Sequence, residues 1–166
     1  MAAGVLRIAL AAGFEAQLNA KVQCLGSTGN TAHHFRPADI LLNEGTGRQT
    51  CIDVTIVSPM CTSYANINVG ELATKKADEK IKKHLAACEQ AGYDFLPFAI
   101  DTCGVMDARA NILLTRLANA YEAISGLADS HSKAICRRRI SLCLQRGIST
   151  QLTSLVLSDY PDFLPL

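Results

Sequence analysis

Two aspartates lie inside apolar stretches of this sequence, and their spacing indicates that they share a site. Asp39 lies in residues 36–42 and Asp53 in residues 51–57. Both stretches are rich in Ile, Leu and Val and predict β-strands, because a polar segment with two glycines separates them. A hairpin centred on Thr46 places Asp39 directly opposite Asp53. Opposed residues project from one face of a sheet, with Cβ atoms roughly 5 Å apart.

Two carboxylates at that separation repel each other, and a carboxylate in an apolar segment is costly unless it is paired or coordinated. A divalent cation between them would remove the repulsion, so the pair predicts a metal site. The alternative is that one aspartate caps a turn while the other lies on a solvated sheet face, since an antiparallel sheet can leave one face in water.

A lysine-rich helix is predicted over residues 71–90. Lys76, Lys80 and Lys83 follow the i, i+4, i+7 spacing of a single helical face. Hydrolysis of a phosphodiester by a metal ion needs carboxylates to hold the ion, and it benefits from a cation that stabilises the charged phosphate or orients the water. The alternative is that these lysines form an ordinary solvated surface.

The order of these motifs resembles a known family. Arg-Pro-x-Asp at 36–39 is followed by Asp-Val-Thr at 53–55, a lysine-rich segment at 79–84, and Phe-Leu-Pro-Phe-Ala at 95–99 leading to Gly104. This series is similar to the restriction-like endonuclease domain of site-specific non-LTR retrotransposons, in the PD-(D/E)xK nuclease superfamily. The resemblance covers about residues 36–121, and more weakly the helical tail at 138–147.

The resemblance implies an α/β fold with a restriction-endonuclease-like αβββαβ core, a mixed central sheet and a C-terminal helical extension. It implies a DNA endonuclease that depends on Mg²⁺ (or Mn²⁺) and uses Asp39 and Asp53 as catalytic metal ligands. Thr55 stands where the family motif has a lysine. Some relatives supply that lysine from the following helix, where Lys80 or Lys83 matches, and Lys76 lies on the same predicted face. The other reading is a catalytically inactive, nucleic-acid-binding relic of the same fold.

The resemblance also implies partners and a location. DNA is the expected partner, and no membrane is expected. The chain lacks a Tyr-x-Asp-Asp segment and a Cys/His knuckle, so it corresponds to the nuclease module alone or to a descendant of it. A reverse-transcriptase module of the same element is a further expected partner. The location would be nuclear if the retroelement is eukaryotic.

Four further residues are candidates for the site. Glu15 lies where relatives often place a third acidic residue, although an exposed edge-strand charge explains it equally simply. His34 and Arg36 precede Asp39 and could contact phosphate, or a loop histidine could simply be solvated. Arg138, on a predicted basic helix, could follow a DNA backbone. Because three adjacent arginines fan around a helix, one of them is expected to pack inward along its stem.

The remaining periodicity predicts one nuclease core at residues 1–126 and a helical extension at 127–166 packed on or beside it. The predicted helices cover 3–11, 71–91, 106–124 and 131–145. Between them we predict an edge strand at 14–18, a loop at 22–34, the hairpin, a strand at 93–100 that is buried on both faces, and a break at 126–130. We expect Gly147 to stop the basic helix. One face of the third helix is expected to carry Ile112, Leu113, Leu117, Tyr121 and Ile124.

Composition agrees with one modest domain. The chain has 166 residues, of which 49% are hydrophobic, and can bury a substantial core. Its formal net charge of +1 means that attraction to nucleic acid must come from local clusters. No apolar run approaches the roughly 20 residues that span a bilayer. Seven scattered cysteines without a Cys-x-x-Cys motif indicate a soluble intracellular protein with reduced thiols.

Overall fold

The computed structural model describes residues 1–19, 22–24, 33–35, 38–45, 47–64, 66–68 and 70–159, with only the backbone at 22–24, 33–35 and 156–159. Four α-helices and six strands occur in this part of the chain. Their bounds are α1 (Ala2–Ala11), β1 (Glu15–Leu18), β2 (Val22–Cys24), β3 (His33–Phe35), β4 (Ile40–Asn43), β5 (Gln49–Val57), α2 (Glu71–Gln90), β6 (Asp94–Asp101), α3 (Ala108–Ser125) and α4 (Asp129–Asp159). A short 3-10 helix at Thr62–Tyr64 lies between β5 and α2.

The main sheet has four strands in the order β1-β4-β5-β6. β4 pairs antiparallel with β1 and with β5, and β5 pairs parallel with β6, so the sheet is mixed. The register runs from Ile40 opposite Ile52 to Asn43 opposite Gln49, which confirms the predicted centre of the hairpin at position 46. The predicted α/β class is confirmed at this level, and the restriction-endonuclease-like core stays a prediction.

Alternation along the strands gives the sheet two different faces. Even-numbered residues, such as Ile40, Ile52 and Phe98, enter the main apolar cluster together with residues of α1, α3 and α4. Odd-numbered residues face α2, where Cys51 packs with Cys88. Burying one large aliphatic or aromatic side chain contributes about 1.5–3 kcal/mol. The face that carries α1, α3 and α4 therefore supplies most of the hydrophobic stabilisation.

α4 belongs to this main cluster. Its residues Cys136, Ile140 and Leu144 are buried there beside residues of α1 and α3. Gly126 ends α3 in a left-handed conformation (φ 67°), which favours glycine, and a three-residue connection leads to α4. The connection between α3 and α4 thus begins at residue 126, where the first predicted domain ends. The division into domains 1–126 and 127–166 stays a prediction.

Three local predictions are wrong. α4 continues through Gly147 because glycine weakens a helix by only about 1 kcal/mol and Leu144 and Ile148 hold the helix on the core on both sides. The loop predicted at 22–34 contains β2 and part of β3, which pair antiparallel. Ile112 and Ile124 are exposed, because the buried stripe of α3 instead follows Ala110, Leu113, Leu114, Leu117 and Ala118.

No helix in the described part of the chain is long and apolar enough to cross a membrane.

Candidate functional site

Asp39 lies immediately before β4. Its backbone N–H donates to the carbonyl of Ile52 at 3.0 Å, although Ile52 is already the register partner of Ile40, so the regular pairing ends at Ile40 and the predicted Asp39–Asp53 pair is not formed in register. Its carboxylate Oδ2 accepts a hydrogen bond from the backbone N–H of Val54 at 2.9 Å. Asp39 therefore caps the end of the β4–β5 ladder, and its carboxylate lies beside β5. This capping role agrees in part with the alternative that one aspartate caps a turn.

Asp53 lies in the middle of β5 and faces α2. The helix approaches the sheet closely here because the contact is made by small residues, with Ala73 and Ala77 packed on Ala99. Asp53 is buried, and its side chain is only 10% exposed. Three residues after Ala77 along the helix, Lys80 extends over the carboxylate, and its Nζ lies 2.8 Å from Asp53 Oδ2. Thr55 carries no charge, and Lys80 of α2 instead places a positive charge beside Asp53.

The contact between Lys80 and Asp53 is an ion pair without hydrogen-bond alignment. The two atoms are close enough, but Asp53 Oδ2 is buried and has no hydrogen-bond partner among the described residues. Thr55 Oγ1, two residues along the same strand face, is also buried without one in this part of the chain. A buried polar atom left unsatisfied costs about 1–3 kcal/mol. Asp53 Oδ2 is compensated by the charge of Lys80, whereas Thr55 Oγ1 has neither a hydrogen bond nor an ion pair within the described residues.

His84 completes this arrangement and was not anticipated as part of it. Its Nε2 lies 3.9 Å from Asp53 Oδ2, and its ring centroid is 5.8 Å from that of Phe95. Burial lowers the pKa of His84, the charge of Asp53 opposes this effect, and Lys83 and Lys80 add to the lowering. The side chain is therefore neutral at pH 7. Its i+4 position after Lys80 was the signal in the sequence that could have identified it.

The other two candidate lysines lie elsewhere. Lys76 pairs with Glu79 at 2.7 Å and sits 5.0 Å from the centre of the Tyr64 ring. The hydrogen bond to Glu79 raises the pKa of Lys76. Lys83 is exposed on α2. Of the three lysines predicted to share a face, Lys80 is the one that the structure brings to Asp53 within the described residues.

Glu15 and Arg138 do not join the carboxylate pair, and the side chains of the other two candidates lie outside what the structure describes. Glu15 is exposed, accepts a hydrogen bond from Asn43 at 3.0 Å and lies opposite that residue. Asn43 is four residues from Asp39, which is roughly 13 Å along the strand. Arg138 is exposed on α4, on the other side of the sheet. His34 lies in β3 with its side chain outside the described atoms, and Arg36 lies outside the described residues.

The donor set at the hairpin fits one class of metal ion. Within the described residues no group of three or more His, Cys, Asp or Glu side chains is placed to hold an ion. Mg²⁺ does not require such a group, because it keeps several waters and is usually bound by one or two carboxylates together with phosphate oxygens. Asp39 and Asp53, with a buried oxygen of Asp53 lacking a hydrogen bond, fit Mg²⁺ or Mn²⁺ and not a structural zinc site.

No protein-family model matches the chain, and the curated proteins contain no significant match to it. The function is therefore argued from the geometry of Asp39, Asp53 and Lys80.

Proposed function

We propose that this protein is a metal-dependent DNA endonuclease with a restriction-endonuclease-like core, derived from a retroelement or part of one. The observation that carries the proposal is the contact between Lys80 Nζ and Asp53 Oδ2 at 2.8 Å, made from the helix that follows the hairpin. The hydrogen bond from the Val54 backbone N–H to Asp39 Oδ2, at 2.9 Å, brings the second carboxylate to β5 next to the residue that follows Asp53. Two carboxylates and a lysine are the side chains that hydrolysis of a phosphodiester by a bound Mg²⁺ requires.

Each residue has a distinct role in this proposal. Asp39 and Asp53 would hold Mg²⁺ or Mn²⁺, which supplies Lewis-acid stabilisation of the phosphate and lowers the pKa of a bound water. Lys80 stabilises negative charge on the phosphate from the helix side, where its partly exposed side chain can exchange the Asp53 oxygen for a phosphate oxygen. His84 lies beside the same carboxylate, with its Nε2 3.9 Å from Asp53 Oδ2.

A second candidate function is a nucleic-acid-binding relic that has lost turnover. One observation favours it. The 2.8 Å contact with Lys80 neutralises Asp53 directly, as a structural ion pair in a metal-free site would. The two candidates differ in whether the carboxylates bind a divalent ion.

The direct test is cleavage of supercoiled plasmid DNA with Mg²⁺ or Mn²⁺ by the wild-type protein and by Asp53→Asn. The substitution keeps the shape of the side chain and removes the charge that binds the ion, so cleavage should be abolished while the fold is retained. Asp94→Asn is the matched control, because Asp94 lies on the neighbouring strand, is 53% exposed and pairs only with Arg48 among the described residues. Undiminished cleavage by Asp53→Asn would rule out this assignment.

A second measurement separates the two candidate functions without relying on turnover. A ligand that binds only the native state stabilises it, by about 2.7 kcal/mol at a hundredfold excess over Kd. Mn²⁺ should therefore raise the Tm of the wild-type protein and of Asp94→Asn, but not that of Asp53→Asn. An equal response of all three proteins would favour the relic.

The wider biological setting belongs to the same proposal. A reverse-transcriptase module of the same element as partner, and a nuclear location if that element is eukaryotic, both follow from the resemblance of the motifs. Co-purification of the full-length product with reverse-transcriptase activity would test the first of these expectations.

A further inference from the structure

A cleft of about 310 Å³ lies between α1 and α4, on the sheet face opposite to Asp53. It is lined by Gly4, Arg7, Arg139, Leu142, Cys143 and Arg146. Gly4 sets its width, because a Cβ at this position would lie 2.6 Å from Cys143 Sγ. The missing side chain lets the two helices approach each other, which brings Arg7 of α1 into the same cleft as two arginines of α4.

Within the described part of the chain, the three arginines of the cleft lack carboxylate partners. Three other arginines, Arg48, Arg109 and Arg116, each form an ion pair with an aspartate or glutamate. Arg7, Arg139 and Arg146 form none with the described residues. The sequence explains the difference, since α1 contains no Asp or Glu and residues 130–158 of α4 contain none either. Three guanidinium groups that line one cleft, without a counter-charge among the described residues, give the cleft a positive potential that favours binding of an anion.

The cleft suits phosphate groups in particular. A guanidinium donates two parallel hydrogen bonds to a phosphate and stays charged at any physiological pH. Arg139 is held by the Tyr121 ring, with its Cζ 5.9 Å from the ring centre. Arg139 and Arg146 are seven residues apart, which is about 10 Å along a helix axis. Two guanidinium groups at that separation can contact different phosphates of a nucleic-acid backbone, whereas a single small phosphate would not reach both positions at once.

We infer that the cleft formed by Arg7, Arg139 and Arg146 binds the phosphate backbone of a nucleic acid, at a place separate from the carboxylate pair. The choice of a nucleic acid among phosphate ligands rests on the proposed function. The separation rests on the fold, because Asp53 faces α2 whereas α1 and α4 pack on the other face of the sheet. The cleft therefore anchors a segment of nucleic acid other than the phosphodiester beside Lys80.

Binding of a fluorescent DNA duplex, measured by anisotropy in EDTA from 50 to 200 mM salt, tests this inference without any cleavage step. Each phosphate contact contributes about 0.9 to the negative slope of log K against log salt concentration. Over the tenfold range from 1 M to 0.1 M salt, that slope corresponds to about an eightfold gain in affinity for each contact. Arg7→Gln and Arg146→Gln should each lose about that much affinity and slope. Arg48→Gln removes the same charge from an exposed residue outside the cleft and should bind like wild type.

Two results would overturn the inference. One is that Arg7→Gln and Arg146→Gln keep the wild-type salt slope while thermal unfolding shows both variants folded. The other is a combination of two observations. Inorganic phosphate raises the Tm of the wild-type protein but not that of Arg146→Gln, and Arg146→Gln binds DNA as tightly as the wild-type protein. That combination would identify a site for a small anion. Loss of DNA affinity in the cleft variants supports the inference even if no cleavage is ever detected. Failure of the cleavage proposal is recognised separately, by undiminished plasmid cleavage in Asp53→Asn.

Discussion

Replacing Lys80 by alanine tests the candidate site most severely, because the structure gives this lysine two separable contributions. It neutralises a buried carboxylate, and in the proposed function it stabilises the phosphate. In Lys80→Ala the Asp53 carboxylate keeps only His84, at 3.9 Å, as a partner among the ion pairs of the described residues. The variant should therefore lose both folding stability and cleavage.

The size of the stability loss follows from the exposure of the two partners. Removing one partner of a fully buried pair costs about 3–5 kcal/mol, whereas exposed pairs contribute about 0–1 kcal/mol. Asp53 is 10% exposed and Lys80 is 33% exposed, so the pair lies between these cases. We expect a loss of about 2 kcal/mol, and for a chain of this size a fall in Tm of about 4–8 °C.

The assay is a double-mutant cycle by urea unfolding, with Lys80→Ala, Asp53→Asn and the double variant. Once the charge on Asp53 is gone, losing Lys80 should cost little, so the coupling should approach about 2 kcal/mol. The same proteins are assayed for plasmid cleavage, where Lys80→Ala should be at least about 100-fold slower, or about 2.7 kcal/mol of barrier. Lys82→Ala, an exposed lysine on another face of α2, is the matched control for both measurements.

Three outcomes would correct the reasoning in different ways. Additive stability effects would show that the ion pair contributes nothing in solution. A clear stability loss with normal cleavage would limit Lys80 to a structural role. If cleavage survived in Lys80→Ala but failed in Lys83→Ala or Lys76→Ala, the mechanism would use another lysine of α2.

Gly4→Ala should destabilise the protein by about 1–2 kcal/mol, because overpacking against Cys143 Sγ at 2.6 Å outweighs the gain in helix propensity, and Cys143→Ala should recover part of the loss in urea unfolding. Gly147→Ala should stabilise α4 by up to about 1 kcal/mol, since no atom lies within 4 Å of the added Cβ, and an unchanged or lower Tm would contradict this. Burial raises the pKa of Asp107, but hydrogen bonds from Arg109 outweigh burial and leave the pKa lowered. Its contribution is therefore complete above the ordinary carboxyl pKa and is lost as the pH falls through the lowered value. Asp107→Ala should cost about 1–2 kcal/mol at pH 7 and weaken the acid dependence of Tm, whereas an unchanged dependence would exclude this linkage.

Local patterns in the sequence were enough to predict the hairpin. The polar turn and the two apolar runs define a register that depends only on neighbouring residues, and the structure has that register from Ile40 opposite Ile52 onward. The lysine helix was predicted to within one residue of its observed end at Gln90, since its periodicity is long and Gly92, with φ 82°, follows shortly after. The missing lysine at Thr55, and the expectation that a lysine of α2 replaces it, came from the resemblance to the nuclease family, and this catalytic role stays a prediction.

Packing decided the rest. Three lysines share a helical spacing, but the close contact of Ala73 and Ala77 with Ala99 fixes the rotation of α2 and directs Lys80 at Asp53, while Lys76 turns to Glu79. The continuation of α4 through Gly147 depends on the contacts of Leu144 and Ile148 with the core. The helix propensity of glycine gives no information about these tertiary contacts. The arginine cleft needs two helices that are more than a hundred residues apart in sequence, and the helices meet because Gly4 leaves room for Cys143. Sequence spacing alone determines which residues share a face, but only the tertiary structure determines what that face meets.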